Sequence, residues 1–240
     1  MALPDRLRMK ITYPDGTKYM NQQNLITKNN FSIEPFHTAP VPTKAYKSDG
    51  IERKKHLQAV CRLSVIEGEI LEFGVFQGKT IKHLSKGFPN KTLWGFDSFE
   101  GLPEDWFLNA GDIVSPRPAG YFALDNLPEV PVNVRLVKGF FDQSLPRWLR
   151  ENPINQISIL HIDCDLYSST KTIFNLLNSY IVEGTVIIFD EFYPWSGIEK
   201  YDLWAQGEFK ALEEWVEKYD RKFEVIYRNR HQQCSIRILE

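Results

Sequence analysis

Hydrophobic and polar positions change character near Asp49. Residues 1–48 are polar and irregular, and Pro35, Pro40 and Pro42 break any helix there. From Asp49 onward, apolar runs of strand length alternate with helical periodicity. Asp49-Gly-Ile-Glu52 has capping-box spacing, and Leu57, Val60, Cys61 and Val65 follow at helical intervals, with Gly68 as the stop. Residues 69–76 (EILEFGVF) read as a buried strand, and 79–86 as a short helix with Ile81 and Leu84 inward, stopped at Gly87. Further strands are predicted over 92–99, 134–141, 157–165 and 185–190. Helices are predicted around Leu145, Trp148 and Leu149, and after a Ser168 or Ser169 cap with Ile173, Phe174, Leu177 and Tyr180 on one face. Phe209, Leu212, Val216 and Tyr219 mark the clearest amphipathic helix. Residues 223–228 and 234–239 suit a closing antiparallel hairpin. The expectation is an α/β fold: a seven-stranded, mainly parallel, Rossmann-like sheet with helices on both faces and a C-terminal hairpin.

Composition narrows the class. With 31 acids against 29 Lys and Arg in 240 residues, the formal charge is −2, which argues against a nucleic-acid partner. A 42% hydrophobic and 13% aromatic content excludes wholesale disorder. No apolar run approaches the ~18 residues of a membrane helix. The first residues, Met1-Ala-Leu-Pro-Asp-Arg6, lack a signal-peptide core. Cys61, Cys164 and Cys234 form no CxxC pair, so a soluble protein of the reducing cytoplasm is expected. Seven prolines between 103 and 153 mark long loops, and the segment 103–133 reads as a loop-rich insertion in a domain spanning 49–240.

In parallel sheets, ligands sit beyond the carboxyl ends of the strands. The first strand ends Glu72-Phe-Gly-Val-Phe-Gln-Gly78, a glycine turn into a helix that differs from the GxGxxG of dinucleotide sites. Glu72 would repel a pyrophosphate and favour an ammonium group. Asp97, at the end of the second strand, is placed to accept ribose hydroxyl protons; the plainer reading is an aspartate bonding its own turn. Glycine turn and acid together describe an adenosine carrying an amine and no phosphate, which S-adenosylmethionine satisfies better than NAD or ATP.

The fourth strand ends His161-Ile-Asp-Cys-Asp165 and the fifth Phe189-Asp-Glu191. Adjacent parallel strands would set Asp163 beside Asp190, and carboxylates gathered there need a cation or proton. Hard oxygen ligands favour Mg²⁺ or Ca²⁺, so Asp163, Asp190 and Glu191 are candidate metal ligands; the alternative is that they cap helices, as Asp165 is placed to do. His161 and His231 lack acids at ligand spacing and read as core or surface histidines. Cys164, between aspartates, reads as a poor nucleophile. The Phe140–Phe141 pair suits core packing, or one ring could flank an adenine. Trp106, Phe107, Tyr121, Phe122, Tyr193, Trp195 and Trp204 suit sugar stacking, dimer contacts or local core equally.

These blocks, with Gly95-Phe-Asp-Ser-Phe-Glu-Gly-Leu-Pro-Glu-Asp-Trp106, Lys138-Gly-Phe-Phe-Asp142 and His161-Ile-Asp-Cys-Asp-Leu-Tyr-Ser-Ser-Thr170, resemble the macrocin O-methyltransferase family, which includes antibiotic-sugar methyltransferases. The resemblance runs in order over about residues 50–240. It implies a class I S-adenosylmethionine-dependent methyltransferase that methylates a sugar hydroxyl with Mg²⁺. Glu72, Gly74, Val75, Gly78 and Thr80 would line the methionine end, Asp97 and Ser98 the ribose, and Gly139 and Phe140 the adenine. Asp163 would reach the cofactor, share the metal with Asp190 and Glu191, and act as general base. Glu191 departs from the aspartate pair common in the family's sugar-modifying members. The acceptor would be a glycosylated or polyhydroxylated small molecule, and residues 1–48 would serve as a lid or as contacts in a homodimer. Two alternatives stay open: an NAD-linked oxidoreductase, and a cofactor-binding protein without turnover.

Overall fold

The computed structural model describes residues 25–32, 36, 49–108, 117–192, 203–229 and 232–240. Their order is α1 (Asp49–Val60), β1 (Glu69–Phe73), α2 (Lys79–Gly87), β2 (Leu93–Asp97), β3 (Val134–Lys138), α3 (Phe141–Glu151), β4 (Ile157–Ile162), α4 (Tyr167–Leu177), β5 (Val186–Phe189), α5 (Glu208–Tyr219), β6 (Phe223–Arg228) and β7 (Cys234–Ile238). One seven-stranded sheet runs in the order β3-β2-β1-β4-β5-β7-β6. The first five strands are parallel, and β7 lies antiparallel between β5 and β6. The chain order reverses direction between β1 and β4, and such a switch point opens a crevice above the strand ends.

Strand alternation builds two cores. Leu71, Phe73, Leu160, Ile162, Ile187 and Phe189 face α3, α4 and α5, meeting Leu145, Trp148, Phe174, Leu177, Leu212 and Trp215. Ile70, Ile159, Val186 and Ile188 face the other way, onto Leu57 and Val60 of α1 and Ile81 and Leu84 of α2. Every residue of β4 and β5 is buried, as expected of central strands covered on both faces. Within the N-terminal segment, Ile26 pairs antiparallel with Phe223 and covers the outer edge of β6. Phe36 is fully buried, its ring 4.9 Å from that of Phe192.

The element boundaries correct several expectations. The strands stop earlier than their apolar runs, because the backbone turns at glycine: Gly74 has φ +92° and Gly139 φ +131°. α1 ends at Val60 rather than at Gly68, and Val65 is exposed. Gly68 instead lies against the backbone of Gln156 and Ser158 just before β1. α4 begins at Tyr167 with no side-chain cap, so Ser168 and Ser169 lie inside its first turn. Asp165 does not cap that helix; it takes a left-handed φ of 64°. Pro146 sits within α3, so among the described residues the proline-dense loop ends at β3.

Candidate active site

A cavity of about 1060 Å³ opens above the carboxyl ends of β1, β2, β4 and β5. Its floor is the turn after β1. A Cβ on Gly74 would stand 1.6 Å from the Asp163 carbonyl oxygen, so glycine lets the β1 turn touch the end of β4. Gly78, at φ +74°, then starts α2 without a side-chain cap, leaving that helix's first N–H groups toward the cavity.

Asp97 organises this floor. Its Oδ2 accepts from the backbone N–H of Val75 (2.9 Å) and Phe76 (2.7 Å), and its Oδ1 from that of Phe99 (2.7 Å). The carboxylate therefore bonds its own turn and also clamps the neighbouring glycine turn, while still lining the cavity. Ser98 lines it too; its hydroxyl donates to the Gly101 carbonyl and accepts from Glu100 N–H. Gly139 N–H donates to the Asp97 carbonyl, and this places Phe140 on the cavity wall. Phe141 follows, edge-on to Phe73 with centroids 5.1 Å apart.

Of the residues expected to bind the cofactor, Gly74, Val75, Thr80, Asp97, Ser98, Phe140 and Asp163 line the cavity. Glu72, Gly78 and Gly139 stand behind that surface. Glu72 is buried beneath the turn, where Oε1 accepts from Thr80 Oγ1 (2.9 Å) and Oε2 from His161 Nδ1 (2.9 Å). His161 is thus a core histidine, but it does have a partner acid, because β1 and β4 pair Glu72 directly with His161. The sequence separation hid that contact.

The second half of the site gathers acids. Ile162 pairs with Phe189, so Asp163 and Asp190 leave adjacent strands side by side. One ligand atom each from His161, Asp163 and Asp190 fall within 4.8 Å of one another. The guanidinium of Arg53, on α1, lies between the two aspartates: Nη1 is 3.6 Å from Asp163 Oδ2, and Nη2 2.5 Å from Asp190 Oδ2. The closer contact is an ion pair without hydrogen-bond alignment. Asp190 Oδ1 accepts from Gln233 Nε2 at 3.1 Å. Glu191 is not drawn into that trio; its Oε1 accepts from Gln232 Nε2 (3.0 Å), and its backbone N–H donates to Glu208 Oε2 (3.1 Å).

Glu191 Oε2 and Glu208 Oε1 are buried without a hydrogen-bond partner among the described residues. Burial, reinforced by Asp190, holds the carboxyls of Asp163, Glu191 and Glu208 well above the usual range. Asp165 is pushed up to about 7, burial outweighing the attraction of Arg117. Burial, then Glu208 and the flanking aspartates, also raises the Cys164 thiol, which makes it a poor nucleophile as expected. The cavity wall carries five acids (Asp97, Asp142, Asp163, Asp165, Glu191) against three bases (Arg53, Lys79, Arg117); the raised Asp163 and Glu191 carboxyls hold their protons until a cation approaches, so the surplus is one of oxygen donors rather than of standing negative charge. Two carboxylates converging on a guanidinium show that the donors suit a cation, and their oxygens are of the hard type that Mg²⁺ takes.

Sequence reasoning missed Arg53, Glu208, Gln232 and Gln233. The available signals were faint: an arginine four residues before a core leucine, and an acid at a helix start, which ordinarily reads as a dipole partner. Among the aromatic candidates, Phe122 lines the cavity; Trp106 is buried with Arg117 over its ring at 4.7 Å; Phe107 and Tyr121 are exposed; and Trp204 packs on Phe209. Tyr193, Trp195 and His231 lie outside the described residues. No described helix is long and apolar enough to cross a membrane.

Known proteins share this architecture. Two solved methyltransferase structures superpose on it: CalS11, a calicheamicin methyltransferase (24% identity, TM-score 0.60, 78% of this chain and 79% of that one), and the O-methyltransferase NovP (21%, 0.59, 83% and 84%). At those identities the likeness speaks to the fold. Demethyldecarbamoylnovobiocin O-methyltransferase of Streptomyces niveus is 29% identical over 172 residues, 62% of this chain and 63% of that protein. A tetracenomycin rhamnosyl 4'-O-methyltransferase of Streptomyces olivaceus is 24% identical over 174 residues, 63% of this chain and 64% of that protein. The chain thus spans just under two thirds of the length of these curated relatives. Residues 121–221 match the model of the macrocin O-methyltransferase (TylF) family. The stretch 121–221 thus carries the pattern of the family that the sequence motifs resemble, the macrocin O-methyltransferases (TylF).

Proposed function

We propose that this protein is an S-adenosylmethionine-dependent O-methyltransferase acting on a hydroxyl of a sugar or another small polyhydroxylated natural product. The observation that carries the reading is the composition of the cavity. The Gly74–Thr80 turn, Asp97, Ser98, Phe140 and Asp163 share one wall, and acids outnumber bases around it. S-adenosylmethionine, with a sulfonium and an ammonium against one carboxylate, is a net cation that these oxygen donors can accept by releasing protons; a dinucleotide pyrophosphate would add negative charge beside them. The volume exceeds the roughly 300–1,000 Å³ usual for a single small ligand, which leaves room for an acceptor beside the cofactor. The family match and the curated methyltransferase relatives support the same reaction.

The sulfonium already activates the methyl group, so the protein's task is alignment and deprotonation. The Val75 and Phe76 amides and the Asp97 carboxylate hold the floor on which the nucleoside rests, and Phe140 offers a face to the adenine. Asp163 stands at the junction of this floor with the acid cluster; its carboxyl, held above the usual range by burial, ionises when a cation sits beside it, and the carboxylate then takes the acceptor hydroxyl's proton as the methyl is transferred. Asp163 and Asp190, with His161, are the donors that would hold a divalent cation, and such an ion would acidify and orient an adjacent hydroxyl. The segment 103–133, of which Pro103, Arg117 and Phe122 line the cavity, is the one we assign to acceptor selection.

Calorimetry with S-adenosylmethionine and NADH, followed by an acceptor screen with methyl-labelled cofactor with and without Mg²⁺, tests the reading. Binding of S-adenosylmethionine and label transfer to a sugar hydroxyl are expected. Selective NADH binding would replace it with the oxidoreductase alternative.

A further inference from the structure

Arg53 belongs to a face of α1 that the fold holds rigidly. Arg53, His56, Leu57 and Val60 recur at i, i+3, i+4 and i+7, one side of the helix. Leu57 and Val60 are buried, and His56 Nε2 is hydrogen-bonded to Ser235 Oγ of β7 at 2.7 Å. The His56 ring also meets Tyr227 of β6 edge-on, with centroids 5.0 Å apart. Packing on two strands therefore delivers Arg53 to the acid cluster; it is not an exposed side chain that happens to reach it.

We propose that Arg53 is the resident cation of this cluster, and that Arg53 and a divalent metal ion exclude one another from the space between Asp163 and Asp190. The inference goes beyond the methyltransferase reading and rests only on its metal-binding part. Asp190 is fully buried, and its second oxygen is held by a neutral amide, that of Gln233. A buried carboxylate needs a compensating cation, and the guanidinium 2.5 Å from Asp190 Oδ2 supplies one. Mg²⁺ or Mn²⁺ would need the same oxygens at roughly 2.0–2.2 Å. A guanidinium already in contact with both aspartates blocks that approach by volume and by charge. Arg53 retains 25% side-chain exposure and lines the cavity, so a route for swinging out exists. Metal entry thus costs the displacement of Arg53, and without metal Arg53 acts as a positioning residue that holds Asp163 in place.

Mn²⁺ binding to the full chain without S-adenosylmethionine, followed by electron paramagnetic resonance and calorimetry, tests this on wild type, Arg53→Gln and Arg53→Lys. Arg53→Gln should bind Mn²⁺ at least about tenfold more tightly than wild type, with Arg53→Lys between them. Mn²⁺ should raise the melting temperature of Arg53→Gln more than that of wild type, and Asp190→Asn added to Arg53→Gln should remove the gain. Equal or weaker Mn²⁺ binding by Arg53→Gln, or no binding by either protein, overturns the proposal. If Arg53→Gln does not fold, Arg53→Lys decides by the same ordering against wild type. S-adenosylmethionine binding is measured separately on the same proteins: retained cofactor binding with a failed Mn²⁺ result sinks this inference alone, whereas lost cofactor binding by wild type sinks the methyltransferase reading.

Discussion

The two halves of the cavity are built on opposite principles. On the β1–β2 side, the polar groups are satisfied by close neighbours: Asp97 takes three backbone N–H groups, Ser98 closes its own turn, and Glu72 lies between Thr80 and His161. On the β4–β5 side, acids from three elements crowd around Arg53, with Arg117 acting on Asp165, and among the described residues buried oxygens of Glu191 and Glu208 lack hydrogen-bond partners. The first side is a finished surface onto which a ligand can settle without rearrangement. The second is left short of positive charge, a state that costs stability and persists where function uses it. Shape is stored on one side and charge on the other.

The largest test of this division is Asp163→Asn. Removing the proposed base should lower turnover by about 10²–10⁴-fold while S-adenosylmethionine affinity stays near wild type, because the amides, Asp97 and glycine turn of the preformed side are untouched. Comparable losses in both, read by labelled-methyl assay and calorimetry, would merge the two halves into one. Next comes Gly74→Ala. A left-handed backbone and a contact of 1.6 Å with the Asp163 carbonyl oxygen should remove about 3 kcal/mol of stability in chemical denaturation. A neutral result would mean that the turn does not bind the halves together.

Asp97→Ala should cost about 2 kcal/mol in folding, since three charge-assisted bonds to backbone are lost. It should also weaken cofactor binding by at least about tenfold, and unchanged calorimetric affinity would remove Asp97 from the ribose role. The smallest effect is on pH. Burial, with His161 and Arg53 nearby, lowers the His56 pKa to about 3, whereas in the unfolded chain it titrates near 6.5. Between those values only the unfolded chain takes up the proton. Stability should therefore be unaffected by this group above pH 6.5 and fall by about 1.4 kcal/mol per pH unit below it. Urea midpoints of wild type and His56→Gln across pH 5–7 check this; equal slopes would show that the α1 anchor does not supply the acid sensitivity.

Legibility followed the same division. The glycine turn, Asp97 and the aspartates at the ends of β4 and β5 were visible because strand-end motifs are contiguous, and parallel pairing brings like ends together. Strand termini were overrun, since EILEFGVF stays apolar after Gly74 has turned the backbone away. Glu72 was read as facing the ligand, whereas in the structure pairing with β4 turns it onto His161 and beneath the turn. Glu191 was grouped with Asp163 and Asp190 from the convergence of strand ends and from the family resemblance. In the structure Glu191 stays on the cavity wall near those aspartates, but its side chain is held by Gln232 and its backbone N–H by Glu208, so its oxygens do not converge with theirs and that of His161.

By itself, the sequence determined the class of sheet, the layering of helices and the edge where chemistry gathers. These follow from the period of its apolar residues and from glycines placed where only glycine allows the turn. Which charges face each other was decided only by the tertiary structure. Arg53 and Asp190 are 137 positions apart, and they meet because α1 docks on β6 and β7, a packing choice made by Leu57, Val60 and His56 together. Local pattern sets which face of an element is buried; the balance of charge inside a site depends on which buried faces are brought together.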